Sequence, residues 1–235
     1  MKLIIDTDPG IDDAIAIALV HALPQVDLIG MTAVFGNTHV VQSSRNARYL
    51  ADLLGFDVPV AEGAALPYGE VSYAPSDYVH GPEGLGDLMT IPQIGQNDPR
   101  NAAQFLCEMA AKYAGELVIC AIGPLANIAD AIALDPSFVT NVKSLVIMGG
   151  AFEHAGNVSP YAEANIIHDP IAADAVFGSG MTITMVGLDA TMKTLLTPTD
   201  FDDLEKAAPK IGGFIKRIAD FYLGFYRSVG VIDGC

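Results

Sequence analysis

Basic residues are scarce in this chain of 235 residues. It has 12 Lys and Arg against 28 Asp and Glu, which gives a formal net charge of -16. Binding to a nucleic-acid backbone needs a basic surface that releases counterions, and an anionic membrane surface selects the same kind of charge. The composition therefore excludes nucleic acid and membrane as predicted partners. It is compatible with plain solubility or with attraction of a metal cation.

Cysteines and long apolar runs are also lacking. The three cysteines, Cys107, Cys120 and Cys235, show no CxxC spacing, so neither a disulfide framework nor a zinc site is predicted. The apolar run at residues 3–5 is far too short for a signal peptide. No stretch reaches the roughly 18 apolar residues that a membrane span needs. We therefore expect a cytoplasmic protein.

Apolar strands alternate with helical segments along most of the chain, in which 51% of the residues are hydrophobic. Short apolar runs predict strands at residues 3–5, 26–35, 58–61, 117–121, 145–148 and 181–187. Caps and stop signals predict helices at residues 11–23, 38–54 with Thr38 as cap, 101–114, 124–134, from Asp169–Pro170 onward, 200–207 with Thr199 as cap, and 210–227. This order predicts a single α/β domain over residues 1–235, with a mostly parallel open sheet flanked by helices. Residues 62–98 and 151–168 are expected to be irregular, and a loop as long as the first is usually functional or mobile.

Four carboxylates follow the first predicted strand within eight residues: Asp6, Asp8, Asp12 and Asp13. The Pro9–Gly10 turn should make them converge, and ligands of open parallel sheets bind beyond the carboxyl ends of strands. Mutual repulsion would raise their pKa values unless a cation neutralised them, and hard oxygen ligands suit Ca²⁺ or Mg²⁺. Two other interpretations stand beside this one. The acids could be ordinary turn and helix-start residues, or an Asp-x-Asp motif of a phosphatase with an aspartyl nucleophile.

The segment DTDPGIDDA at residues 6–14 closely resembles the N-terminal signature of the inosine-uridine-preferring nucleoside hydrolases. Further segments match in kind and order: FGN at 35–37, VHG at 79–81, IGPLANI at 122–128, VIMGG at 146–150, GN at 156–157, AEANI at 162–166 and GLD at 187–189. The resemblance covers essentially the whole chain. It implies the fold of that family and calcium-dependent hydrolysis of the N-glycosidic bond of a ribonucleoside to ribose and free base.

The resemblance also implies a role for each polar group at the strand ends. Asp8 would take the proton from the attacking water and bind Ca²⁺, together with Asp13 and the backbone carbonyl of Ile122. Asp6 would lie next to these ligands and support them without binding the cation itself. Met148 would line the sugar pocket, and the ribose hydroxyls would be held by Asp12, Asn37, Asn157, Glu163 and Asn165.

The side of the site that would face the base has three candidates. His80 lies in the long loop that the resemblance places over the base, so it is either a catalytic residue facing the leaving group or a solvated loop histidine. Tyr222 and Tyr226 lie at helical spacing on the last predicted helix, where the family has an aromatic residue beside the base. The same spacing is also typical of core residues.

The family pattern continues past Cys235 into a His-Asp-Pro segment, whose His is a proposed proton donor in one subgroup and whose Asp is a further calcium ligand. We therefore expect the domain to be incomplete at its C-terminus. His168 and Asp169 do not replace this segment, because Asp169 matches a helix cap elsewhere in the pattern. The family also implies a homo-oligomer, a dimer or a tetramer. A non-catalytic remnant that binds calcium and ribose is an alternative function.

Overall fold

Six parallel strands form one sheet in the order β3-β2-β1-β4-β5-β6 in the computed structural model, which describes residues 1–69, 73–231 and 234–235. The strands are β1 (Lys2–Thr7), β2 (Asp27–Ala33), β3 (Val60–Glu62), β4 (Leu117–Ala121), β5 (Ser144–Met148) and β6 (Ile183–Val186). The helices are α1 (Ile11–His21), α2 (Val40–Leu54), α3 (Asp77–His80), α4 (Ala102–Lys112), α5 (Ala126–Leu134), α6 (Phe138–Asn141), α7 (Ala164–His168), α8 (Pro170–Phe177), α9 (Leu188–Thr191), α10 (Pro198–Ala207) and α11 (Pro209–Ser228).

Both faces of the sheet are covered by helices, which explains why its inner strands read as continuous apolar runs. Ile4 and Ile119 lie on one face and pack in the layer of α4, α5 and α8. Leu3 and Ile5 lie on the other face and pack against α1, α2 and α11. Neighbouring side chains of a strand point to opposite faces, so both sets must be apolar. The predicted parallel sheet flanked by helices is confirmed.

Two predicted caps are wrong by one or two residues. His39, not Thr38, is the N-cap of α2, and the Thr38 hydroxyl pairs with that of Ser43 at 2.8 Å instead. Thr197, not Thr199, caps α10, because Pro198 at the first helical position fixes a helical φ two residues earlier. The predicted cap of α8 is confirmed, since Asp169 Oδ1 accepts the backbone N–H of Ala172 at 2.9 Å.

The two stretches predicted to be irregular are partly helical. Within residues 62–98, of which 70–72 lie outside the described residues, the chain forms the single turn of α3. Within residues 151–168, α7 begins after Glu163, whose side chain accepts the backbone N–H of Ile166. Helices of four or five residues are too short to show a helical periodicity of apolar residues in the sequence. No helix in the described part of the chain is long and apolar enough to cross a bilayer.

The direction of the strand order reverses between β1 and β4. From β1 the chain builds outward through β2 and β3, and from β4 it builds the other way through β5 and β6. In open α/β sheets such a reversal leaves a crevice at the carboxyl ends of the two central strands, where ligands bind. The segments that follow β1 and β4 begin at Asp8 and Ile122. The fold therefore places the aspartate motif at the crevice.

Candidate functional site

Asp8 and Asp13 form a buried carboxylate pair beyond β1. Asp8 is fully buried, and its Oδ2 accepts the backbone N–H of Asn37 at 2.6 Å. Asp13 Oδ1 accepts the Thr7 hydroxyl at 2.5 Å, while its Oδ2 accepts the Gly10 backbone N–H and the Asn37 side-chain amide, each at 3.1 Å. Asn37 thus binds both carboxylates. Asp8 Oδ1 is buried and has no hydrogen-bond partner among the described residues.

The electrostatic environment of this pair is unfavourable to two negative charges. Burial, followed by the charge of Asp13, raises the pKa of Asp8 well above its usual range. Burial, followed by the charge of Asp12, raises the pKa of Asp13 to about 6. Within residues 1–69, 73–231 and 234–235, neither carboxylate forms an ion pair with a basic side chain. Buried carboxylates in this position either take up protons or bind a cation.

Two glycines allow the backbone to approach Asp8 closely. A Cβ atom on Gly36 would lie 1.9 Å from Asp8 Oδ2, and one on Gly123 would lie 2.6 Å from Asp8 Oδ1. Real Cβ atoms essentially never come this close. The glycines of the FGN and IGP segments are therefore needed so that the ends of β2 and β4 can enclose the carboxylate.

Asp6 lies beneath the pair in a hydrogen-bonded network. Its Oδ1 accepts the Thr32 hydroxyl at 2.5 Å and the Asn127 amide at 2.7 Å, and burial raises the pKa of Asp6 to about 7. The Asn127 amide also donates to the Ala33 carbonyl at 3.0 Å, and its oxygen accepts the Ala64 backbone N–H at 2.8 Å. Asn127 therefore ties β1 to the ends of β2 and β3. Sequence reasoning missed this role, although a polar residue at the start of an otherwise apolar helix was a signal for it.

A second polar cluster lies beyond β4 and β5. The Asn165 amide donates to the backbone carbonyls of Ile122 at 2.9 Å and Met148 at 3.1 Å. Glu163 Oε2 accepts the backbone N–H of Gly150 at 2.9 Å. Glu163 is buried, and this burial raises the pKa of its carboxyl group. Ile122 directly precedes Gly123, so the two clusters meet at the end of β4.

Asn157 and Met148 are the two predicted ribose residues with weaker connections to these clusters. Asn157 is exposed, and its side-chain oxygen accepts the backbone N–H of Ala164 at 3.0 Å. Met148 is half-buried, and its Sδ lies 3.5 Å from the Asn165 amide nitrogen. Asn157 therefore helps to start α7, while Met148 contacts Asn165, a residue predicted to bind ribose.

His80 and the two tyrosines form an aromatic group beside the first turn of α1. The His80 ring is buried and stacks on Tyr222, with ring centroids 5.4 Å apart, and Tyr222 contacts the edge of Tyr226 at 4.9 Å. His80 Nδ1 accepts the backbone N–H of Ile11 at 3.2 Å and lies 3.7 Å from Asp12 Oδ1. Burial lowers the pKa of His80 to about 4. The interpretation of His80 as a solvated loop residue is therefore wrong.

The donor set at the crevice fits a hard cation. No three His, Cys, Asp or Glu side chains in the described ranges are grouped as a metal site, so a cation there would depend on backbone oxygens as well. The expected donors are Asp8, Asp13 and the Ile122 carbonyl. That carbonyl oxygen accepts one hydrogen bond from the Asn165 amide, and its second lone pair is available for a cation. All of these donors are oxygens, and the unpartnered Asp8 Oδ1 needs a donor or a cation.

A solved structure with the same fold is a nucleoside hydrolase. The plant nucleoside hydrolase PpNRh1 superposes with a TM-score of 0.95 and 38% identity, over 99% of this chain and 74% of its own. The parallel sheet flanked by helices is thus the fold of the nucleoside hydrolase class.

Sequence comparison identifies the family within that class. Uridine nucleosidase 1 of Arabidopsis thaliana is 45% identical over 98% of this chain and 69% of its own length. The inosine-uridine preferring nucleoside hydrolase of Leishmania major is 38% identical over 97% of this chain and 73% of its own length. The family model described as inosine-uridine preferring nucleoside hydrolase matches residues 3–235. The chain belongs to the inosine-uridine preferring nucleoside hydrolase family.

Proposed function

We propose that this chain hydrolyses the N-glycosidic bond of ribonucleosides, with uridine and inosine as the first substrates to test. The observation that carries the proposal is the buried Oδ1 of Asp8, which has no hydrogen-bond partner among the described residues and belongs to the segment that follows β1 at the reversal of the strand order. Relatives named uridine nucleosidase and inosine-uridine preferring nucleoside hydrolase support this substrate class. An aspartyl-nucleophile phosphatase is not favoured by any of these observations.

Asp8 would act as the general base. The Asn37 N–H fixes Oδ2, which leaves Oδ1 to take a proton from water as the water oxygen bonds to C1′ of the ribose. The bond between C1′ and the base nitrogen breaks, and its electron pair leaves with the base. A carboxylate held in place in this way can accept a proton once a bound cation keeps it ionised.

Ca²⁺ would be held by the Asp8 and Asp13 carboxylates and the Ile122 carbonyl. Bound there, the cation would supply positive charge that keeps both carboxylates ionised and makes a nearby water easier to deprotonate. The all-oxygen donor set supports calcium or magnesium rather than zinc.

The ribose would be bound by hydrogen-bonding groups on both sides of the crevice. The residues proposed for its hydroxyls are Asp12, Asn37, Asn157, Glu163 and Asn165, with Met148 against the sugar. As the glycosidic bond breaks, positive charge develops on the ribosyl ring. Fixed carboxylates in a site of low dielectric constant stabilise such charge without having to reorient.

His80, Tyr222 and Tyr226 would contact the base. Because His80 Nδ1 accepts the Ile11 N–H, the neutral ring carries its proton on Nε2. The lowered pKa keeps this ring neutral at pH 7. His80 would therefore donate a hydrogen bond to the departing base rather than act as a charged acid.

Calcium is expected to raise the midpoint of thermal unfolding more at pH 8 than at pH 5. When folding raises the pKa of a carboxylate, the folded state loses stability as the pH rises from the pKa of the unfolded chain through the pKa of the folded chain. For Asp13 the pKa in the folded chain is about 6. At pH 5 a cation must displace protons, whereas at pH 8 it binds ionised ligands. At a hundredfold excess over its dissociation constant, a ligand adds about 2.7 kcal/mol of stability.

The calcium prediction is checked by thermal unfolding with Ca²⁺, Mg²⁺ or a chelator at several pH values. The control variant is Asp200→Ala, which removes an exposed carboxylate of the α10 cap. It should shift the midpoint equally with and without calcium. A calcium shift that is the same at pH 5 and pH 8 would contradict the proposed ligands.

The activity itself is tested with a panel of nucleosides in the presence of Ca²⁺. Uridine, inosine, cytidine and adenosine are assayed for free ribose, and a generic phosphate ester with Mg²⁺ tests for phosphatase activity. We expect ribose from uridine or inosine and no hydrolysis of the ester. Heat on titration with ribose and Ca²⁺, without turnover of any nucleoside, would instead support the non-catalytic alternative.

A further inference from the structure

The loop between β5 and α7, residues 149–163, carries two of the residues proposed to bind ribose. It has few buried apolar side chains of its own. Phe152 and Tyr161 within it are 84% and 89% exposed. A loop with exposed apolar side chains and little burial is held mainly by its hydrogen bonds, and such segments open at low cost in free energy. The bonds that fix this loop therefore decide where Asn157 and Glu163 lie.

Asp189, in the first turn of α9, binds the start of this loop with both carboxylate oxygens. Its Oδ2 accepts the backbone N–H of Phe152 and its Oδ1 accepts that of Glu153, each at 2.8 Å. The same two bonds hold the pKa of Asp189 below its usual range, so the carboxylate is ionised at neutral pH. Hydrogen bonds to an ionised acceptor are stronger than neutral ones.

A continuous set of hydrogen bonds connects this contact to the candidate site. The neighbour of Asp189, Leu188, donates its backbone N–H to the Gly150 carbonyl at 2.9 Å. The N–H of the same Gly150 donates to Glu163 Oε2 at 2.9 Å. The turn after β6 thus holds the loop at Gly150, Phe152 and Glu153, and Gly150 is the residue whose N–H binds Glu163.

We propose that Asp189 is a positioning residue that fixes the loop 149–163 for ribose binding. This rests on the proposed function, because it assigns the loop to the sugar. Asp189 acts through the backbone of Phe152 and Glu153 and does not touch the substrate. Its removal loosens the loop and weakens substrate binding, while the reacting groups around Asp8 keep their places.

The position of Asp189 makes it suitable for mutation. It follows β6, the half-exposed edge strand, and is itself only partly buried. The matched control is Asp200, another carboxylate with a lowered pKa that accepts a backbone N–H and a hydroxyl, both from Thr197, at 2.7 and 2.6 Å. Asp200→Ala removes similar bonds at α10 without touching the loop.

The test compares Asp189→Ala, Asp189→Asn and Asp200→Ala by hydrogen exchange and by steady-state kinetics with uridine and inosine. In Asp189→Ala, we expect amide exchange of residues 150–163 to accelerate about tenfold or more. The KM should rise about tenfold while kcat stays within about threefold, as for the loss of uniform binding. Asp189→Asn keeps one acceptor oxygen and should lie between the wild type and Asp189→Ala. Asp200→Ala should leave the loop and KM unchanged.

Each other outcome overturns the proposal. Unchanged exchange in Asp189→Ala would show that the carboxylate does not hold the loop. Faster exchange with an unchanged KM in an active enzyme would show that the loop does not position ribose ligands. A wild type that is folded but hydrolyses no nucleoside would refute the proposed function, and with it a role of Asp189 in substrate binding. The exchange data would still report separately whether the anchor exists.

Discussion

Replacing Asp8 by asparagine is expected to lower kcat by about a thousandfold, since a positioned general base contributes roughly 10² to 10⁴. The amide has the shape of the carboxylate, and its oxygen can still accept the Asn37 N–H. It cannot take a proton from water at neutral pH, and it carries no charge for a cation. The loss should appear in kcat for both uridine and inosine.

The same variant should fold at least as well as the wild type when calcium is absent. Asp8 is fully buried, and burial is the main reason why its pKa is raised, so the charged form costs stability. Thermal unfolding in a chelator therefore separates loss of chemistry from loss of fold. Asp200→Asn, the same change at an exposed position, should keep full activity. A kcat above one-tenth of the wild-type value in Asp8→Asn would remove Asp8 from the role of base.

Replacing Gly123 by alanine is expected to lower kcat by about a hundredfold, which is the effect of a misplacement of about 1 Å at a reacting group. The new Cβ would lie 2.6 Å from Asp8 Oδ1 and 2.9 Å from Val34 Cγ1. Val34 is buried and has little room to yield, so the carboxylate must move. The calcium-dependent shift of the unfolding midpoint should shrink in the same variant.

Gly224→Ala in α11 is the control for the Gly123 variant. A Cβ at Gly224 meets no heavy atom of the described residues within 4 Å, so the substitution should leave kcat unchanged and stabilise the helix slightly. If Gly123→Ala retained the kcat and the calcium shift of the wild type, Asp8 Oδ1 would not be the oxygen that faces the reaction.

The sheet and the position of the aspartates could be predicted from the sequence because their signals are local. A strand buried on both faces, such as β1, must be a short apolar run, and the polar residues that follow it must lie at the carboxyl edge. Resemblance then supplied the roles of Asp8 and Asp13. These roles, the predicted cytoplasmic location and the predicted oligomer stay predictions.

Contacts between distant segments could not be predicted in the same way. His80 accepts the N–H of Ile11, 69 residues away, and Asp189 binds Phe152, 37 residues away. In both cases one partner is a backbone group, which has no signature in the sequence. The role of Asn127 could not be predicted for the same reason, since two of its partners are backbone groups at the ends of β2 and β3. Such contacts depend on where distant segments meet in the folded chain.

The proposed hydrolysis and the role of Asp8 as its base are tested together by an assay for free ribose from uridine and inosine, with the wild type and Asp8→Asn side by side in calcium and in a chelator. With the wild type in calcium, we expect equal amounts of ribose and free base from at least one of the two nucleosides. With Asp8→Asn, we expect a rate about a thousandfold lower. Equal rates for the two proteins, or no ribose from either nucleoside with folded wild type in calcium, would contradict this proposal.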